Sequence, residues 1–200
     1  VCVVAGQRPA LPERSVRCMH PRIATVVPYP IDTQARDNDA VTTAHAEALP
    51  VALQDLWRWA ASERLGPRRR IDQARIDAFA DATGDHNWIH VDPQRVRRDL
   101  PGGQTIAHGF LLLALTVEDD VAALAGFAGI AHVLNYGLNK VRFLAPVPSA
   151  SEVQVRSRLV SLEPRQPGQW LLTQHKTVEV VPGGQVAVVA EQLSLVVVAA

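Results

Sequence analysis

The chain of 200 residues is short of the groups that mark several common classes of protein. It has two cysteines, Cys2 and Cys18, both near the N-terminus. A disulfide framework is thereby excluded from the rest, and a reducing, cytoplasmic compartment is expected. Charge of either sign is not in excess: 20 basic and 20 acidic residues leave a formal net charge of +0. Nothing electrostatic therefore points to nucleic acid or an acidic membrane surface. Long apolar runs are missing too. The longest, Phe110 to Val117, is interrupted by Thr116 and falls far short of the roughly 20 residues that span a bilayer. Arg8, Glu13, Arg14 and Arg17 break up any signal-peptide core at the N-terminus. The chain begins at Val1 and its single methionine is Met19, which leaves its natural start open.

What is present is an apolar fraction of 48%, ample for one core. Residues 1–50 have scattered prolines and no sustained period, and read as a poorly ordered extension. Leu53, Leu56, Trp57, Ala60 and Ala61 fall at helical spacing, which predicts an accessory helix over 51–65, ended by Gly66-Pro67. The domain proper then covers 66–200. Arg68 to Ile71 reads as a short edge strand whose charges deter wrong pairing. Asp72 is placed to cap a helix running to about Ala82, with Ile71 and Ile76 as a staple and Gly84 as its C-terminal glycine. Asp92-Pro93 starts a short helix containing Val96. From Thr105 to about Leu124 the apolar residues cover nearly every face, which predicts a buried helix. Glu118-Asp119-Asp120 marks where it is expected to surface. Alternation after that predicts strands around Val141, around Val153 to Leu159, over Trp170 to Val181 and over Val186 to Val198. The last two form a hairpin across Pro182-Gly183-Gly184. One buried helix against antiparallel strands is an α+β domain.

The most informative stretch is Ala82-Thr83-Gly84-Asp85-His86-Asn87-Trp88-Ile89-His90. Asp85 and His90 are side-chain types that exchange protons near neutral pH, and Asn87 lies between them to orient a neighbour. The run resembles the Gly-Asp-x-Asn-Pro-x-His signature of the MaoC-like dehydratases and (R)-specific enoyl-CoA hydratases, with Trp88 in place of Pro as in the nodulation-protein-N-like branch. Ile106-Ala107-His108-Gly109-Phe110-Leu111-Leu112 resembles the second motif of that family, at the head of its central helix. The element order is similar to the hotdog fold, a sheet wrapped around a central helix.

That resemblance implies reversible hydration of a trans-2-enoyl thioester to the (R)-3-hydroxyacyl thioester. Asp85 and His90 would be the acid–base pair, the Gly109 amide would belong to the oxyanion hole, and Asn87 and His108 would support them. Coenzyme A, or acyl carrier protein, would enter as part of the substrate, with no metal or redox cofactor. The assembly expected is a homodimer. Lys140 and Arg142 are candidates for the coenzyme A phosphates. Blander readings stand beside these. Asp85 can cap a turn, His108 can cap a helix, Trp88 can simply pack, and His132 and His175 read as ordinary strand residues. His86 and His90 have the spacing of metal ligands on a helix, but Gly84 and Asp92-Pro93 argue against a helix through both. A hotdog thioesterase and a non-catalytic acyl-CoA-binding subunit are the alternative functions, because fold does not fix function.

Overall fold

The computed structural model describes residues 49–124 and 126–199. The expected extension, apart from its last two residues, lies outside the described residues, as do Cys2 and Cys18. Helix α1 (Val51–Ala61) buries Leu53, Leu56 and Ala60, the stripe its spacing predicts. It stops before Gly66-Pro67 because the next residues leave for the sheet. Arg64 and Leu65 form β1 (Arg64–Leu65) and pair with Ser157 and Arg156. Strand β2 (Arg69–Ile71) pairs with the same neighbour.

Asp72 caps α2 (Gln73–Thr83), its carboxylate accepting from the Arg75 N–H at 2.9 Å. Ile71 and Ile76 are both fully buried beneath that cap. Gly84 closes the helix at φ 78°, a left-handed conformation that only glycine adopts without strain, and its N–H donates to Ala80. Two short helices follow, α3 (Trp88–Val91) and α4 (Pro93–Asp99), the second capped by Asp92.

Helix α5 (Gly109–Leu124) begins later than the apolar pattern suggests. Residues from Thr105 to Ala107 are extended instead. The Ile106 N–H donates to Ile89, the Ala107 N–H to Val147, and the Thr105 carbonyl accepts from Ser149. Backbone groups spent on neighbouring loops cannot also join a helical ladder. Apolar periodicity could not reveal this, because Ile106 and Ala107 are partly or fully buried in either conformation.

Strands β3 (Ile130–Phe143), β4 (Ser151–Gln166), β5 (Gln169–Val181) and β6 (Gln185–Val198) complete a six-stranded sheet of order β1-β4-β5-β6-β3, with β2 also on β4. All pairings are antiparallel, and β5 and β6 form the expected hairpin. Helix α5 packs on β3, β5 and β6. One apolar cluster joins Leu111, Leu112 and Leu115 to Val153, Val155, Val178 and Val188. A second joins Leu124 to Leu162, Leu172, Val196 and the buried face of α1. Helix α1 is therefore packed on the core through this second cluster.

Between the two clusters runs a buried polar belt. Asp120 does not mark the emergence of α5, as its charge suggests. It is 1% exposed, and its carboxylate accepts from the Lys176 ammonium of β5 at 2.5 Å. Lys176 is fully buried and also donates to Ser157 at 2.9 Å. Arg64 reaches the other Asp120 oxygen at 3.4 Å. Gln174, oriented so that both its amide atoms are satisfied, donates to Asp120 and accepts from Arg64. A carboxylate can stay ionised in a core only when partnered in this way; removing one partner of such a pair costs about 3–5 kcal/mol.

A chain beginning at Leu49 is expected to fold with an unchanged melting temperature. A chain beginning at Gly66 should melt well below it. That deletion takes Leu53 and Leu56 from the second cluster, each worth about 1.5–3 kcal/mol of burial. Thermal melting of the two truncations checks both statements, and equal melting would show that α1 is dispensable.

Candidate active site

The site forms where two loops meet the start of α5. The turn from Gly84 to Asn87 delivers Asp85. Its carboxylate accepts from the Asn87 N–H at 3.4 Å, while the Asn87 side chain accepts from the Ile89 N–H at 3.3 Å and so caps α3. Asn87 thus shapes the turn and starts the short helix that carries His90. His90 is 8% exposed, in contrast to His86, which is exposed and sits 3.1 Å from Asp81.

The tautomers of both buried histidines follow from their partners. Nδ1 of His90 lies 2.7 Å from the Ile106 carbonyl. A carbonyl only accepts, so Nδ1 carries the proton and Nε2 presents a bare lone pair. Nε2 of His108 lies 2.9 Å from the Asp85 carbonyl, so in His108 Nε2 carries the proton. Its Nδ1 is buried without a partner among the described residues. The two rings stack, with centroids 3.8 Å apart and planes at 28°. Phe79 packs on the other side of His108 at 5.0 Å. His108 therefore has two tasks. Its carbonyl accepts from Leu112 at the head of α5, and its ring fixes Asp85 and His90 relative to one another.

Gly109 follows as the first residue of α5. Its N–H is among those that a helix start leaves without an intrahelical partner, where the helix dipole favours developing negative charge. A Cβ at Gly109 would stand 2.8 Å from the Phe143 ring, so glycine is required here for close approach. His90, Gly109 and Phe143 wall a cleft of about 230 Å³ with Ile106, Leu112 and Pro146. Asp85 is exposed at its margin, with a carboxylate oxygen within 4.8 Å of ring nitrogens of both His90 and His108.

These three side chains have the composition of a metal site. One nitrogen of each ring already faces a backbone carbonyl, Nδ1 of His90 and Nε2 of His108, so a metal could take only the other nitrogen of each.

Other residues singled out in the sequence lie elsewhere. Lys140 bonds Glu191 across the β3–β6 pair at 2.7 Å, and Arg142 donates to the adjacent Val141 carbonyl. Neither walls the cleft. The Arg95 guanidinium covers the Trp88 ring at 4.2 Å, which gives Trp88 a packing role. His132 is exposed. Burial, and then Arg158, hold His175 below the ordinary histidine range.

Two supports escape sequence reasoning. Gln73 donates to the His90 carbonyl at 2.8 Å and accepts from Thr105 at 2.5 Å, tying α2 to both catalytic loops. Phe143 closes the cleft from β3. Gln73 belongs to no motif and is brought in by α2, while Phe143 ends β3 and is brought in by the β3–β6 pairing.

Comparison with known proteins agrees with this arrangement. The family model described as MaoC like domain matches residues 59–181. The chain is 46% identical over 136 residues to 3-hydroxyacyl-thioester dehydratase Z of Mycobacterium tuberculosis, covering 67% of this chain and 89% of that protein. It is 38% identical over 126 residues to nodulation protein N of Rhizobium leguminosarum bv. viciae, covering 63% and 78%. The solved (R)-hydratase from A. caviae involved in PHA biosynthesis superposes with a TM-score of 0.55 at 23% identity, covering 70% of this chain and 94% of that one; the hotdog fold is shared. With two thirds of its length matched by a near-complete relative and its paired motifs at the head of the central helix, the chain belongs to the MaoC-like dehydratase family.

Proposed function

We propose that the protein catalyses the reversible hydration of a trans-2-enoyl thioester to the (R)-3-hydroxyacyl thioester. The observation that carries this reading is that Asp85 lies within 4.8 Å of His90, which shares a cleft with Gly109 at the N-terminus of α5. Two proton acceptors, the Asp85 carboxylate and the bare Nε2 of His90, can hold one water. As the water oxygen adds to the β-carbon, its proton passes to one of them. The group that took the proton returns it to the α-carbon, so the net change is addition of H and OH across the double bond. Charge moves onto the thioester oxygen during attack, and the Gly109 N–H stabilises it there. The name of the mycobacterial relative supports the substrate class. Coenzyme A is the proposed carrier, with exposed Arg142 available to its phosphates, and no metal or redox group takes part.

The proposed assembly is a homodimer through β3. This edge strand has fourteen residues and exposes Leu134, Tyr136 and Leu138, next to Phe143 and the α5 residue Phe110. A long apolar edge left open invites pairing with another chain. A second subunit there would also shield the open side of the Asp85 site. Leu134→Lys with Tyr136→Lys is expected to yield a monomer by sedimentation equilibrium. An unchanged parental mass, or a monomeric parent, would refute the β3 dimer.

Asp85→Asn and His90→Gln should each lower the turnover of crotonyl-CoA by about 10²–10⁴-fold, the usual contribution of a general acid or base. Because the pair acts as a unit, the double variant should cost little more than the worse single one. The assay follows loss of the conjugated absorbance. Release of free thiol in place of that loss would identify a thioesterase.

Gly109→Val should push the Phe143 ring aside and bar the thioester from the helix N-terminus. A fall of roughly 10²–10³-fold is expected, as for loss of one oxyanion donor. Thermal melting confirms that the variant is folded. A folded variant at the parental rate would remove Gly109 from the mechanism.

A further inference from the structure

Two further recesses lie along α5 beyond the catalytic cleft, on the far side of the Phe110–Phe143 pair. Phe143, in the cleft, lies 5.4 Å from the ring of Phe110. Phe110 opens a second recess of about 400 Å³, walled also by Val117, Gln192 and, from the proposed dimer edge, Tyr136 and Leu138. Val117 and Gln192 are shared with a third recess of about 350 Å³ that reaches Asp120 and Ser194. From Gly109 to Val117 the helix rises about 12 Å, and to Asp120 about 16 Å.

The far end is polar where an acyl tunnel needs only apolar walls. Gln192 projects from β6 and is 3% exposed, yet neither its amide nitrogen nor its amide oxygen has a hydrogen-bond partner among the described residues. Gln174, opposite it on β5, has its amide engaged by Asp120 and Arg64 and is not available to it. A buried polar group without a partner costs roughly 1–3 kcal/mol, and an apolar side chain of the same volume avoids that cost.

We propose that Gln192 is a specificity-determining residue. Its amide hydrogen-bonds a neutral oxygen group, a hydroxyl or a ketone, carried by the acyl chain about 12–16 Å from the thioester. A hydroxyl matches both faces of the amide, since it donates to the oxygen and accepts from the nitrogen. A carboxylate is disfavoured because it would lose its hydration against Leu124, Ile130 and Val133 in the same recess. The inference rests on the thioester reading of the Asp85 site, and it narrows the substrate to medium-chain acyl groups oxygenated away from the reacting end.

The test compares three substrates, crotonyl-CoA, trans-2-decenoyl-CoA and its ω-hydroxy derivative, on the parent protein and on Gln192→Leu. The parent is expected to prefer the ω-hydroxy compound over the plain decenoyl compound in kcat/KM. Gln192→Leu should lower that ratio about tenfold while leaving crotonyl-CoA, too short to reach the recess, at the parental rate. Gln192→Met serves as the alternative variant if the leucine form does not fold. A ratio that is the same in parent and variant overturns the proposal. So does a change of oligomeric mass with the ratio intact, which would assign Gln192 to a subunit interface. If the parent hydrates crotonyl-CoA but shows no preference for the hydroxy compound, the distal subsite fails and the catalytic reading stands. If it hydrates none of the three, the catalytic reading itself fails and takes the subsite with it.

Discussion

Burial of α5 against the sheet is the constraint on which the rest depends. A helix apolar on nearly all sides has no stable place at a surface, and the sheet, chiefly β3, β5 and β6, offers it a wall. Once it is seated, its N-terminus must end where the loops before it can be held. The extended residues at 105–107 are clamped between the Ile89 carbonyl on one side and Val147 and Ser149 on the other. That clamp sets His108 against His90, and it leaves Gly109 in the wall of the cleft. Core packing and site geometry are thus consequences of one placement.

The polar belt across the core qualifies this picture. Hydrophobic burial alone would favour one continuous cluster, yet Asp120, Lys176, Gln174 and Ser157 divide the interior into two. A buried ion pair contributes little net stability compared with apolar residues of the same size. Its effect is on register. Asp120 sits on the helix and Lys176 on β5, so sliding the helix by one turn would strand both charges. The belt therefore fixes where α5 lies along the sheet, and with it the position of Gly109 relative to Phe143 and His90.

The proposed acid–base groups are held mainly by backbone contacts. Carbonyls of Ile106 and Asp85 select the tautomers of His90 and His108, and Gln73 ties the loop bearing His90 to α2. Side chains held by main-chain carbonyls keep their orientation when neighbouring side chains move, which is the preorganisation that proton transfer to a bound water needs.

Much of this was written locally in the sequence. Asp72, Gly84 and Asp92 mark helix ends through interactions only a few residues long, and the Pro182-Gly183-Gly184 turn does the same for the β5–β6 hairpin. Asp85, Asn87 and His90 stand close enough in sequence to be read as a unit, and His108-Gly109 is a motif in its own right. The start of α5 was not legible, because the partners that keep residues 105–107 out of the helix come from Ile89 and Val147, distant in the chain. The burial of Asp120 was hidden as well: an acidic residue near a helix end signals a surface unless a cation arrives from elsewhere, and Lys176 lies 56 positions away. The sequence by itself determined which residues can form helix ends, turns and a proton-transferring pair, because those properties are local. The tertiary structure alone decided that two histidines stack, that a lysine and an aspartate meet in the core, and that Gln192 has no hydrogen-bond partner among the described residues, because each depends on groups far apart in the chain.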